Sequence, residues 1–338
     1  MKTNMYREAA EAPDRVANQL KGNAATLAAL ADRLRADPPA VMVTIGRGSS
    51  DHAATYARYL VETRLGILSS SLSPSIFSVF QAPLSLRNTL CLVISQSGRS
   101  PDLLAAAQAA RNTGAIVVAL VNDRDSPLAE IASVILPQGA GPEKSAAATK
   151  SFITSLSAIA QMVALWSGDE SMGAALGQLP TALAEAWQQD WSPCREMLQS
   201  ADHLYTVGRG LYLAIAQEAA HKLKETCMIH AEAFSSAEVL HGPNELAGKD
   251  FPVLLFRSED ASDASTKEAA QRLSAQGASV MVAGGGEPGS LPVPHAAHPA
   301  LAPILQIQAF YRMADALACA RGLNPDQPRH VQKVTHTV

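Results

Sequence analysis

Two clusters of residue types in this chain could do chemistry, and a third position could assist them. The first is Ser95-Gln96-Ser97-Gly98-Arg99-Ser100. An apolar run, Leu90 to Ile94, ends there. A helix predicted to reach Arg111 begins at Pro101, with proline at the first helical position, where its missing N–H costs nothing. Backbone N–H groups and the positive end of the helix dipole meet at such a junction and favour an anion. One helix cap needs one hydroxyl. This turn has three, which points to phosphate, with an ordinary serine cap as the competing reading. The second cluster is Glu218, Lys222 and Glu225, at i, i+4 and i+7 and so on one helix face. Glutamate four residues before lysine is also the favoured order for a surface ion pair. The neighbouring His221 and Lys224 fit a solvated face, so spacing alone leaves surface pairing and proton transfer both open. The third position is His241, in a segment with Glu232 and Glu238, followed by a Gly242-Pro243 turn that fixes where its ring points.

Other patterns carry less. No metal signature is present: His230-Ala231-Glu232, and His295 with His298, lack further ligands at sensible spacing. Gly284-x-Gly286-x-x-Gly289 matches the dinucleotide string, but Pro288, Pro292 and Pro294 forbid the helix it should open, so it reads as a loop. The tail Asn324 to Val338 is polar, with Asp326-Gln-Pro-Arg329 and then Lys333. It reads as a disordered end or as a lid whose lysine covers a bound anion.

The elements that must position these residues alternate. Strands are expected at Val41–Ile45, Gly66–Ser70, Leu90–Ile94, Ala115–Val121 and Ser133–Leu136, with helices between them. Alternation of this kind implies a parallel sheet covered on both faces. Helices are expected at Met5–Glu11 and Val16–Arg35, and a long one from near Ser145 that carries Thr149 and Lys150. A helical stretch from about Met172 to Leu198, interrupted near Pro180 and Pro193, links the halves. The pattern then restarts. Thr44-Ile-Gly-Arg-Gly48 and Thr206-Val-Gly-Arg-Gly210 stand 162 residues apart, each between an apolar strand and a helix. Such recurrence in matching context implies duplication. Further strands are expected at His203–Val207, Phe251–Phe256 and Ser279–Val282, and helices at about Ala264–Ser274 and Ala300–Arg321.

Composition agrees with two domains. The chain has 338 residues, 47% apolar and 17% charged, more than one core usually serves. A net charge of −4 with no long basic run argues against nucleic acid. No signal-like or membrane-spanning run occurs, so no membrane partner is expected and a cytoplasmic location is. Cys91, Cys194, Cys227 and Cys319 are far apart and read as buried, reduced thiols.

Taken together, Arg47-Gly-Ser-Ser50, Ser95-Gln-Ser-Gly98, Ala140-Gly141 through Thr149-Lys150, Gly208-Arg-Gly210, Glu218 through Glu225, Ile229-His-Ala-Glu232, His241-Gly-Pro243 and Asp326-Gln-Pro-Arg329 with Lys333 resemble the sugar isomerase (SIS) family, and within it the isomerase half of glucosamine-6-phosphate synthase. The resemblance runs in the family's order over nearly all of the chain beyond the first 40 residues. It implies an α/β fold of two SIS domains, each a parallel sheet flanked by helices on both faces. The expected organisation is a helical segment at 1–40, SIS domains at 41–168 and 201–323, a helical linker at 169–200, and a loop at 324–338 that closes the site.

The resemblance also implies roles. Ser95, Gln96, Ser97 and Ser100, with Ser49 and Ser50 close by, would hold a sugar phosphate, and Ala146 and Ala148 would line its site. Glu225 would move a proton between C1 and C2, its pKa raised by burial, with Lys222 beside it. His241 would assist ring opening, reaching over from the other subunit of a homodimer, and Lys333 would close the site. The expected activity is that of a glucosamine-6-phosphate deaminase, with no metal or organic cofactor. Other phosphosugar reactions (galactosamine 6-phosphate deamination, fructosamine 6-phosphate deglycation, plain isomerisation) and a non-catalytic sugar-phosphate sensor are the alternatives. Two departures bear on specificity: Arg99 stands where the synthase type has an acid, and Ala148 where it has a serine. The chain begins without the glutaminase module of the synthase, so glutamine-dependent synthesis is not expected.

Overall fold

The computed structural model describes residues 2–330. Each strand expected from an apolar run is present, and all pair in parallel. Val41–Ile45 (β1), Leu68–Ser71 (β2), Thr89–Ser95 (β3), Ile116–Val121 (β4) and Val134–Pro137 (β5) form one sheet in the order β2-β1-β3-β4-β5. Every residue of the central strand β3 is buried, which is why it reads as an unbroken apolar run rather than an alternation. On one face, Val43, Ile45, Cys91, Val93, Val117 and Ala119 pack with Leu103, Ala106 and Ala107 of the helix Pro101–Asn112.

His203–Gly208 (β6), His230–Ser235 (β7), Pro252–Phe256 (β8) and Ser279–Ala283 (β9) form the second sheet, ordered β7-β6-β8-β9. Its order repeats the first four strands of the other sheet. The repeat extends to the backbone. Gly48 (φ 53°, ψ −128°) and Gly210 (φ 58°, ψ −126°) precede the helices Ser49–Leu65 and Leu211–Cys227 in nearly the same conformation, one that favours glycine. Two parallel sheets flanked by helices are thus observed, as the alternation implies.

Several expectations need correction. Strand β7 was not anticipated, because its alanines and glutamate are poor strand formers. It forms at the sheet edge by pairing with β6 along its whole length. The helix expected from near Ser145 begins at Lys150. Residues 145–149 are irregular, and N–H groups there bond to distant partners: Glu8 takes those of Lys144 and Ser145, and the Asp326 carbonyl takes that of Ala146. Cys91, Cys194 and Cys227 are buried thiols, but Cys319 is exposed at the end of the helix Ala302–Ala320. The linking stretch breaks into Glu170–Leu176, Leu179–Gln188 and Ser192–Leu198, with Pro180 and Pro193 in first turns, where proline is tolerated. Residues 284–289 form a loop, as their prolines require.

The chain forms two compact units. One holds Asp14–Glu143 and Ser151–Gly177, with the five-stranded sheet. The other holds residues 2–13, the segment Lys144–Lys150 and residues 178–330, with the four-stranded sheet. Among the described residues, no helix is long and apolar enough to cross a membrane.

Candidate active site

The hydroxyl-rich turn follows the carboxyl end of β3, beside β1. The helix after β1 leads to β2 on one side, and the helix after β3 leads to β4 on the other. The two loops, 46–50 and 96–100, therefore open at the sheet's topological switch point, where ligands bind in open α/β sheets. Ser49 and Ser50 begin the helix after β1 and are half-buried. Buried Ser95 accepts the N–H of Gly98 at 3.0 Å, which folds the turn back on itself. Gly98 holds φ +63°, and a Cβ there would lie 2.3 Å from Ser126 Oγ, so only glycine fits. Ser100 occupies the cap position of the helix Pro101–Asn112, but its hydroxyl makes no capping bond. The ordinary-cap reading therefore does not account for it. Gln96 and Ser97 are half-buried beside it.

Both arginines near this turn are engaged. Arg47 reaches from the loop after β1 to Asp102 at 2.9 Å, and Asp102 is only 1% exposed. Arg99 pairs with Asp123 at 2.7 Å and holds that carboxyl below the usual carboxylate range.

The second cluster lies in the other unit, on the helix Leu211–Cys227, and it is not a solvated face. Glu218 and Lys222 are fully buried, 0% and 1% exposed, and stand 3.7 Å apart. Lys222 also donates to Glu225, the partly exposed end of the array. His221 Nε2 stands 3.1 Å from the other oxygen of Glu225. From the helix Ala302–Ala320, Tyr311 donates its hydroxyl to Glu218 at 2.9 Å. Only Lys224 of this helix's charged residues is exposed, as a solvated face would require.

This arrangement reverses the expected pKa of Glu225. Burial raises it, as anticipated, but the Lys222 ammonium and the His221 ring outweigh burial and hold it at about 2. The carboxylate is ionised and so able to accept a proton, while Lys222 restrains its basicity.

The remaining expected residues are placed as follows. His241 is exposed at the end of a short turn, Glu238–Leu240, with its N–H donating to the Glu238 carbonyl at 2.9 Å. Ala146 and Ala148 lie half-buried in the irregular segment 144–149, in the same unit as Glu225, Lys222 and His241. Their methyl groups form no hydrogen bonds, so only the backbone there can contact polar groups. Lys333 lies outside the described residues. Tyr311 was not singled out from the sequence, where a tyrosine in an apolar helix reads as core. Glu8 and Glu11, which bond to the 144–150 segment, likewise carry no local signal, whereas Asp326, whose carbonyl accepts the Ala146 N–H, stands in the tail pattern noted above. No group of side chains suited to a metal ion occurs among the described residues.

The fold and these two clusters define a class: an α/β protein of two like sheets, with a glycine-dependent hydroxyl turn suited to an anion and an ionised carboxylate beside a buried ammonium. The SIS domain model matches residues 40–165 and 197–290, and the chain belongs to the SIS family. It is 33% identical to a glutamine–fructose-6-phosphate aminotransferase (isomerizing) of Streptomyces coelicolor, over 97% of this chain and 58% of that one. The chain spans about half the length of the curated relatives it matches. Among solved structures, one from Silicibacter pomeroyi, described only provisionally as a phosphosugar isomerase, is 44% identical, with a TM-score of 0.91 over 96% of this chain and all (100%) of that one. A glucosamine-6-phosphate deaminase of Thermotoga maritima shares the fold, with a TM-score of 0.81 at 21% identity over 99% of this chain and 100% of its own.

Proposed function

We propose that the chain is an aldose–ketose isomerase of amino-sugar phosphates that works as a glucosamine-6-phosphate deaminase, converting glucosamine 6-phosphate and water to fructose 6-phosphate and ammonia. The observation that carries this reading is the ionised Glu225 carboxylate held by buried Lys222, in a chain that also has a hydroxyl-rich turn at Ser95–Ser100 suited to an anion. We assign 41–168 and 201–323 as two SIS domains, led by 1–40, joined by 169–200, and followed by 324–338, which carries Lys333.

In this reading the turn anchors the far end of the sugar. Ser95, Gln96, Ser97 and Ser100, with Ser49 and Ser50, offer hydroxyl, amide and backbone N–H groups to the phosphate. His241, exposed on its turn, serves the site of a second copy of the chain in a homodimer, where its imidazole moves the proton that opens the ring. Glu225 takes the proton from C2 of the open-chain aldehyde and returns it to C1. The electron pair passes into the substrate's own carbonyl, which is the electron sink, so the step calls on no metal or organic cofactor. As negative charge builds on the sugar oxygen, the Lys222 ammonium turns toward it. Glu225 is thereby released from its restraining charge at the moment it must act as a base. The product of the shift is an imine at C2. Water adds to it, and ammonia leaves. The four unpaired thiols suit a cytoplasmic setting for such an enzyme.

The deciding experiment is a coupled assay for ammonia and fructose 6-phosphate over a panel of glucosamine 6-phosphate, galactosamine 6-phosphate, fructosamine 6-phosphate and glucose 6-phosphate. Glucosamine 6-phosphate is expected to release ammonia and fructose 6-phosphate in equal amounts. Glu225→Gln is expected to abolish release while still binding the phosphosugar. Full activity in that variant overturns the mechanism, and binding without turnover of any sugar identifies a sensor.

A further inference from the structure

Both units carry Gly-Arg-Gly after their first strand, and so offer an internal comparison. The 162-residue offset holds in the strand pairing as well as in the sequence: Val43 pairs with Cys91, and Tyr205 with Val253. The helices that follow start at Pro101 and Asp263, so the turns before them match residue for residue. Ser97 and Gly98 correspond to Glu259 and Asp260, and Asp102 corresponds to Ala264. The second turn is acidic and lacks the glycine, so only the first suits an anion. Both copies keep the arginine, as Arg47 and Arg209. Only the first has a carboxylate for it at this place in the helix. The fold is built twice, and the Arg47–Asp102 pair once, on the copy with the hydroxyl turn.

Asp102 is the second residue of the helix Pro101–Asn112 and is 1% exposed. Its Oδ1 accepts the N–H of Leu103 at 2.9 Å, and its Oδ2 accepts Arg47 Nη2 at 2.9 Å and Nε at 3.3 Å. A carboxylate at a helix N-terminus takes up the field that would otherwise attract an anion, and when buried it is little screened. Taken alone, Asp102 would repel a phosphate from the turn. Arg47 cancels that charge and has donors to spare. Its side chain is 54% exposed, and its Nη1 makes no bond among the described residues. The guanidinium is thus anchored on one edge and open on the other. A second observation comes from Ser126, which is 0% exposed. It lies against Gly98 of the turn, and its hydroxyl has no partner among the described residues. Buried hydroxyls seldom stand unpaired, and one beside this turn points to a polar occupant.

We propose that Arg47 is the cationic binding residue of the Ser95–Ser100 turn, its open edge donating to the oxygens of a phosphate monoester, and that Asp102 is the positioning residue that aims it. An arginine fork matches phosphate oxygens two at a time. It supplies the full positive charge that hydroxyl, amide and backbone N–H groups lack, and so favours a doubly charged ligand. The proposal rests on the phosphosugar reading of the turn, and it draws on groups of the five-stranded unit alone.

The test is a double-mutant cycle read by titration calorimetry, with inorganic phosphate as the probe. Arg47→Met is expected to lower phosphate affinity at least about tenfold, the size of one charge-assisted contact. Asp102→Asn is expected to lower it about threefold when Arg47 is present, through looser aim, and to raise it when residue 47 is methionine, by removing a bare charge. The same change in both backgrounds makes Asp102 merely structural and overturns its role. Where Arg47→Met does not fold, Asp102→Asn is compared with Arg47→Met/Asp102→Asn, since neither leaves a buried carboxylate unpaired. The double variant must bind phosphate at least about tenfold more weakly than Asp102→Asn. Equal affinity in the two means that Arg47 only cancels Asp102, and overturns the proposal. Failure of the underlying reading looks different. Phosphate that binds Gly98→Ala as tightly as wild type has missed the turn, and removes that reading and the proposal together. Affinity lost in Gly98→Ala but kept in Arg47→Met removes the proposal alone. The expected cycle, with no ammonia from any sugar of the panel, keeps Arg47 and removes the deaminase.

Discussion

Lys222 and Glu225 are joined across one turn of the same helix, yet the lysine side chain is 1% exposed and the glutamate 15%. The ammonium lies inside the protein, and the carboxylate lies at the boundary. Lys222 therefore has Glu218 behind it and Glu225 in front, and the charge of the front carboxylate is set from within.

One consequence is a pH dependence of stability. The folded pKa of Glu225, about 2, lies below the ordinary glutamate value of 4.5. A carboxyl depressed on folding stabilises the fold above its unfolded pKa, and that contribution is lost as pH falls through the folded value. The gap in unfolding free energy between wild type and Glu225→Gln is expected to shrink as pH falls from about 4.5 toward about 2. Urea titrations at a series of pH values measure it. A gap that widens on acidification would mean that burial, not Lys222, dominates.

The buried members of the array differ in what their loss leaves behind. Lys222→Met leaves the Glu218 carboxylate buried without its ammonium, and is expected to cost about 3–5 kcal/mol. Tyr311→Phe removes one hydroxyl–carboxylate bond, and is expected to cost about 1.5–3 kcal/mol. Denaturant midpoints give the order. Tyr311→Phe as the more damaging change would indicate a neutral Glu218.

The anion turn is tested at its glycine. In Gly98→Ala the new methyl group meets Ser126 Oγ at 2.3 Å in a backbone conformation of φ +63°. The turn must open, and affinity for inorganic phosphate is expected to fall at least about tenfold, measured by calorimetry. Ser95→Ala removes the acceptor of the Gly98 N–H, with an expected loss of about 1–3 kcal/mol in stability. Phosphate affinity unchanged in both variants would take the anion elsewhere.

The duplicated turns make a paired prediction. A Cβ at Gly46 would lie 2.8 Å from the Ser50 carbonyl carbon, and one at Gly208 would lie 2.3 Å from the Tyr212 carbonyl oxygen. Both obstacles are backbone of the following helix, which cannot swing aside. Gly46→Ala and Gly208→Ala are each expected to destabilise by about 1–3 kcal/mol, Gly208→Ala more. Thermal unfolding of the two variants checks the order.

The sequence by itself determined what short windows encode. Apolar runs between turn residues placed eight of the strands. Proline placed the breaks in the linking helices and excluded a helix at 284–289. The recurrence of Gly-Arg-Gly marked a duplication that Gly48 and Gly210 then show in their dihedrals. Even the hydroxyl turn was legible, because a strand end, three serines and a helix start are adjacent in the chain. Only the tertiary structure decided the rest. β7 exists because β6 pairs with it, not because its residues favour a strand. In the irregular 144–149 segment, the N–H groups of Lys144 and Ser145 are held by Glu8, more than a hundred residues earlier. The face bearing Glu218 and Lys222 resembles a solvated ion pair in sequence. It is buried because another helix lies on it and presents Tyr311, 93 residues from Glu218. Periodicity and turn chemistry act between neighbours in the chain. The burial of a charge, and with it the pKa of Glu225, depends on which distant groups exclude water from it.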